Sequence, residues 1–546
     1  GGWDDNYFSA GKLILKGNFT QLKGNGNNFQ AGGTKVVFAG TGVQEISFET
    51  PSSSYFSYPV FENQQISVKS GISNWHLHED ITIPDEGYPL EIVGSMDMNG
   101  YMLTVNRDVA IKAGRYNVNG GSCKITGNLV QEAGVMDLNG GKLEVEGDYR
   151  IQKYDENNQG YGESDGALQI IREKDEVTVG GDFYTQSTRR DYLNPAGGWD
   201  DNYFSAGKLI LKGNFTQLKG NSNNFQAGGT KVVFAGNGVQ GISFDSPESS
   251  YFVYPIFKNS NVVFKSKMHG WTLSEDTKLF EQLDKISIIS SMDMNGHVLT
   301  VHGDLIQEAG VMRLNGGKLE VEGDYRIQKY DENNQGYGES DGALQIIREK
   351  DEVTVGGDFY TQSTRRDYLN PAGGWDDNYF SAGKLILKGN FTQLKGNGNN
   401  FQAGGTKVVF AGTGVQEISF ETPSSSYFSY PVFENQQISV KSGISNWHLH
   451  EDITIPDEGY PLEIVGSMDM NGYMLTVNRD VAIKAGRYNV NGGSCKITGN
   501  LVQEAGVMDL NGGKLEVEGD YRIQKYDENN QGYGESDGAL QIIREK

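Results

Sequence analysis

Three groups of side chains in this chain of 546 residues have the types and spacing for chemistry. His76 and His78, in WHLHED, stand two apart, so on a strand they would share one face and could ligate a transition metal. The equivalent run further on reads WTLSED, with Thr272 and Ser274 in their places beside Trp271. The framework therefore does not require the imidazoles, and no metal site is expected there. The loop YDENNQGYGESDG from Tyr154 supplies Asp155, Asn157, Glu163 and Asp165, hard oxygen donors of the kind calcium takes. Its twelfth position from Asp155 is Gly166, where an EF-hand needs a bidentate Glu, so a solvated acidic loop is the first reading and weak calcium binding the second. The loop from Ser187 mixes Arg189, Arg190, Tyr192, Trp199, Tyr203 and Phe204 with Asp191, Asp200 and Asp201. Aromatics and Arg are enriched in interface cores, which makes this loop the candidate for self-association. The competing reading is that its aromatics fold back over the body of the protein.

What must position these loops is a sequence that copies itself on two scales. Residues 373–546 repeat residues 1–174 letter for letter, and residues 175–372 contain a variant copy. Inside each copy runs a 20-residue period, clearest in MNGYMLTVNRDVAIKAGRYN from Met98, VNGGSCKITGNLVQEAGVMD from Val118 and LNGGKLEVEGDYRIQKYDEN from Leu138. The variant copy matches the first at a separation of 196 residues early on and 176 later, so three such stretches have become two, from Met294 and Leu314. A globular domain rarely survives losing 20 core residues, whereas a stack of coils loses one coil and closes, because each contacts only its neighbours.

The column chemistry describes the coil. Leu103, Cys123 and Leu143 recur at one position and Val105, Ile125 and Val145 two further on, with polar Thr104, Lys124 and Glu144 between them, the alternation of a strand with one buried face. Asn-Gly at 99/100, 119/120 and 139/140 marks a turn, since both residues tolerate positive φ. Stacking would set Asn99, Asn119 and Asn139 in a column whose amides can bond along the stack. Further corners fall at Arg107-Asp108, Gly127-Asn128 and Gly147-Asp148, and near Ala113-Gly114 and Ala133-Gly134. Three short strands and three corners per coil predict an all-β fold, a right-handed parallel β-helix (β-solenoid) with coils of about 20 residues and longer polar excursions. The long copies 1–174, 175–372 and 373–546 are read as one continuous rod. Residues 41–95 are less regular but still alternate as strands at Ile46, Ile66, Trp75 and Ile81.

Composition agrees. Glycine is abundant at 74 residues and proline scarce at 12, as many tight corners between fully paired strands require. A net charge of −24 argues against nucleic acid as a partner, because phosphate is repelled. No apolar run is long enough for a transmembrane helix. Cys123 and Cys495 are one core position in two identical copies, expected to be small buried hydrophobes rather than a disulfide. Asn18, Asn214 and Asn390 begin N-F-T sequons, but they fall at a coil corner, which disfavours glycosylation. The chain opens and closes within a repeat, as a window cut from a longer array would.

The run TKVVFAGTGVQEISF from Thr34, followed by YPVFENQQISV, WHLHEDITI and SMDMNGYMLTV, resembles the repeat idiom of large bacterial surface and secreted β-solenoid proteins, similar to filamentous-haemagglutinin and autotransporter-passenger adhesins. That resemblance implies an extracellular or cell-surface fibre, filament or stalk. Its partners would be copies of itself, laterally or head to tail, and cell-surface glycans. A carbohydrate- or calcium-binding surface module is the alternative. A polysaccharide-degrading β-helix enzyme is more remote, since such an enzyme needs convergent acid and base groups on one face and the carboxylates here are dispersed. No enzyme activity and no catalytic residue are expected.

Overall fold

The computed structural model describes residues 7–24, 29–188, 203–220, 225–279, 285–365, 379–396, 401–457, 460–527 and 529–543. Among them there is no helix. Parallel strands stack as a β-solenoid of about 20 turns of roughly 23 residues. The turn is longer than the 20-residue period because several turns carry excursions: Lys142 pairs with Glu176, across the loop from Tyr154, and Glu176 with Lys208, across the loop from Ser187. The chain groups into two compact units, Gly1–Trp271 and Thr272–Lys546.

Besides two three-stranded parallel sheets among its first strands, the first unit has three larger parallel sheets that form the faces of the coil. An eight-stranded sheet runs from Ile81–Ile83 through Met102–Val105, Ser122–Ile125, Lys142–Val145, Glu176–Val179, Lys208–Leu211 and Gln226–Phe234 to Tyr251–Phe257. A second eight-stranded sheet runs from Leu90–Ile92 to Val262–Phe264, and a five-stranded sheet joins Trp75–His76, Met96–Asp97, Arg115–Asn117, Ala133–Asp137 and Asp165–Gln169. Register follows the apolar columns: Leu103 opposes Ile81 and Cys123, Cys123 opposes Leu143, and Leu143 opposes Val177. Leu103, Cys123 and Leu143 are 0, 1 and 1% exposed. Burying each such side chain contributes about 1.5–3 kcal/mol, and a one-residue slip would turn the whole column outward. The less regular stretch adds aromatic packing to these columns: Phe19, Phe48 and Phe56 contact one another, and Phe56 lies 5.9 Å from Trp75.

The second unit repeats the scheme, with sheets of seven strands from Thr277–Leu279 and from Lys285–Ile288, and shorter sheets through the last copy. Its first turns show what the missing 20 residues did. Thr277 opposes Leu299, Leu299 opposes Leu319 and Leu319 opposes Val353. The column has one rung fewer than its counterpart in the first unit, and its register is unbroken.

Candidate functional site

The corner that follows each strand of the Leu103 column carries a continuous chain of side-chain hydrogen bonds. Asp108 Oδ1 accepts the backbone N–H of Asn128 at 2.7 Å, Asn128 Oδ1 that of Asp148 at 2.8 Å, and Asp148 Oδ1 that of Asp182 at 2.8 Å. Asp182 Oδ1 then accepts from Asn214 at 2.8 Å, and Asn214 Oδ1 from Gly241 at 2.7 Å. The glycine before Asn128, Asp148, Asp182 and Asn214 follows from this: a Cβ on Gly127 would lie 2.3 Å from Asp108 Oδ1 and one on Gly181 2.5 Å from Asp148 Oδ1. The same ladder recurs in the second unit through Asp304, Asp324, Asp358 and Asn390. Asn18, Asn214 and Asn390, the sequon residues, are thus rungs whose side chains are engaged by the next turn.

The Asn-Gly column is organised differently. Asn99, Asn119 and Asn139 take φ of 49, 49 and 46°. Asn139 donates to Asn119 at 2.9 Å, but Asn119 turns to Asp97 at 3.2 Å and Asn99 to the carbonyl of Leu77 at 3.4 Å. Among Asn99, Asn119 and Asn139 only one amide-to-amide rung forms, because the Asp97 carboxylate beside the turn is a stronger acceptor than a second amide.

The loop from Tyr154 is a hairpin, Lys153–Asp155 antiparallel to Gly160–Gly162. It folds Tyr161 onto Arg150, whose guanidinium carbon lies 4.8 Å from that ring centre and 3.7 Å from the ring of Tyr184, while Arg150 also donates to Asp148 at 2.9 Å. Asp155 spends its oxygens within the turn, accepting from the N–H of Asn157 at 2.9 Å and from the Asn158 amide at 2.6 Å. Those bonds, the Asn157 N–H first, hold its carboxyl below the usual range. Asn157 and Glu163 point to solvent, whereas Asp165 opens the strand paired with Ala133–Asp137. Among the described residues no group of three or more His, Cys, Asp and Glu could hold a metal ion. His76 and His78 are both exposed and flank Tyr58, with ring centres 5.9 and 4.6 Å away.

Of the candidate interface loop, Arg189, Arg190, Tyr192 and Trp199 lie outside the described residues. Phe204 is 7% exposed, bridged to Ile170 and 4.7 Å from the ring of Phe225, so it packs into the body of the coil. Tyr203 is half-buried, its carbonyl accepting the N–H of Ile170 at 2.7 Å.

One cluster escaped the sequence reading. Arg107 stands at the ladder's first turn, where Pro89 rather than an Asp or Asn holds the register position below Asp108 and the glycine of later turns is not needed. It is 4% exposed, paired with Glu86 at 2.9 Å, bonded to the Val68 carbonyl at 3.2 Å and 5.1 Å from the ring centre of Tyr88. The Tyr88 hydroxyl donates to Glu86 at 2.6 Å. Burial opposes ionisation of Glu86, but Ser67, the Tyr88 hydroxyl and the Arg107 guanidinium outweigh it and hold the carboxyl below its ordinary range. Arg107 Nε, although buried, has no hydrogen-bond partner. Over the cluster opens a cavity of about 330 Å³ lined by Asp85, Tyr88, Asn106, Arg107, Asp108 and Thr126 among others. Its counterpart in the second unit, about 290 Å³, is lined by Asp457, Tyr460, Asn478, Arg479, Asp480 and Thr498. The available signal was the joint change in the middle copy, which has Gln282, Asp284 and Gly303 in place of Glu86, Tyr88 and Arg107.

The fold and these contacts define a β-solenoid repeat protein. Comparison with protein-family models, curated proteins and solved structures finds no match. The likeness to haemagglutinin and autotransporter repeats therefore rests on the sequence idiom alone.

Proposed function

We propose that this chain is a structural protein, a solenoid building block of an extracellular fibre, filament or adhesin stalk that associates with copies of itself. The observation that carries this reading is the loss of one whole turn from the middle copy with the Thr277–Leu299–Leu319 register intact. A protein whose turns can be removed singly is one in which the number of turns, rather than a unique constellation, serves the function. The side-chain networks point the same way, since the Asp and Asn rungs and the Arg150 stack spend polar groups on cohesion between turns. The reading assigns no catalytic residue and no cofactor. Electron microscopy of the purified protein should show rods or filaments with an axial spacing related to the long copies; compact, isotropic particles would reject it.

The cavity beside Arg107 favours a second reading, a surface module that binds a ligand while the repeats display it. A polysaccharide-depolymerisation screen separates both readings from an enzyme, since both expect no release of product.

A further inference from the structure

The Arg107 cluster is dispensable to the coil. The middle copy lacks its Arg, Glu and Tyr together, yet keeps the buried column through Leu299 and Val301 and the ladder through Asp304. Arg107 is a buried cation with one unpartnered nitrogen that the stacking does not need, which marks a position used for something else.

The lining says what fits. Asp85 and Asp108 are acidic and Glu86 neutralises Arg107, so an anion is repelled. Asp108 Oδ1 is committed to Asn128 and Asp85 Oδ1 to the N–H of Gly87 at 2.9 Å, which leaves one oxygen on each carboxylate. That is too few for a cation shell, which takes six or more oxygens for calcium. What remains is a set of separated hydrogen-bonding groups (Asp85, Asn106, Asp108, Thr126) around Tyr88, which is 38% exposed and has the Arg107 guanidinium and the Lys69 ammonium over its ring at 5.1 and 5.4 Å. Aromatic faces carry negative charge density that attracts C–H bonds, and fixed acceptors recognise hydroxyls. A cavity of about 330 Å³ is at the small end of ligand clefts.

We propose that this cavity binds a neutral sugar residue, its C–H face on Tyr88 and its hydroxyls on Asp85, Asn106 and Asp108. An equivalent site at Tyr460 gives two per chain, with none in the middle copy. The proposal deepens the surface-module reading and does not depend on fibre formation. The test is saturation-transfer NMR on the full chain with the methyl α-glycosides of glucose, galactose and mannose and with N-acetylglucosamine as probes, followed by calorimetry with any probe that binds. Saturation should reach at least one probe, with a stoichiometry of two. The double variant Tyr88→Ala/Tyr460→Ala should weaken binding at least about tenfold, and Tyr88→Phe/Tyr460→Phe should largely retain it, both with wild-type circular dichroism. No transfer to any of the four probes, transfer undiminished by the alanine pair, or binding abolished by a calcium chelator would overturn the assignment.

Discussion

Asp182 Oδ1 accepts the backbone N–H of Asn214 at 2.8 Å, and its position places one turn of the first unit directly against the next. The same oxygen takes the Asn214 side-chain amide at 3.0 Å, while Oδ2 accepts from the Tyr184 hydroxyl at 3.0 Å. Asp182→Ala removes the acceptor and leaves a half-buried N–H without a partner, so urea unfolding should show a loss of about 1–2 kcal/mol. Asp182→Asn, which puts at this rung the residue that serves at positions 128 and 214, should cost well under half as much.

The same rung carries a pH dependence. Burial would raise the Asp182 carboxyl, but its bonds to Asn214 and Tyr184 and the nearby Arg150 outweigh this and hold it below the ordinary value. A carboxyl depressed on folding stabilises the native state above its unfolded pKa of about 3.9, and that contribution is lost as pH falls through the folded value. Thermal melting of wild type against Asp182→Asn should therefore converge as pH is lowered from about 5 to 2; a constant gap across that window would show that the charge is not used.

Turn deletion is expected to be tolerated only in whole units. Removing residues 108–127 joins Arg107 to Asn128 and reproduces the arrangement of the middle copy. Circular dichroism and limited proteolysis should show an intact solenoid. Removing residues 108–117 puts corner residues against strand residues, and should expose the region to cleavage.

Both thiols should be inert in the native protein. Burial pushes Cys123 up to about 12 and Cys495 up to about 11, and each sits against a buried tyrosine hydroxyl, at 3.4 and 3.3 Å. At pH 8 a thiol-specific chromogenic reagent should react negligibly, and then with two equivalents after unfolding. Fast native labelling would place the column out of register.

Arg150 is held between Tyr161 and Tyr184 as a planar cation. Arg150→Lys keeps the charge but loses the stacked plane, at about 1 kcal/mol. Hydrogen exchange in residues 153–162 should accelerate by roughly fivefold, a factor of that size in free energy, with the core strands unchanged.

The strands, corners and apolar columns were legible because a repeated sequence prints each column several times, so that Leu103, Cys123 and Leu143 vouch for one another. The turn deletion was legible for the same reason. The ladder was half legible: both corners were found, but the amide column was assigned to Asn99, Asn119 and Asn139, since Asn-Gly is the louder signal. Which acceptor an amide chooses depends on a neighbour such as Asp97, two positions off the column. Periodicity alone did not show the Arg107 cluster, because its partners Glu86 and Tyr88 belong to the preceding turn and a period reports only what every turn shares; the joint change in the middle copy was the signal that could have found it.

The glycine ahead of the ladder residues that follow the first turn has a consequence for how such a chain changes over generations. Because the rungs that follow a glycine offer the same socket and the same plug, an exchange between misaligned copies of the coding sequence can join one such turn to another without a mismatch at the seam. Its span can therefore be adjusted in discrete steps by recombination, while single substitutions at positions such as Gly181 are met immediately by the carboxylate below.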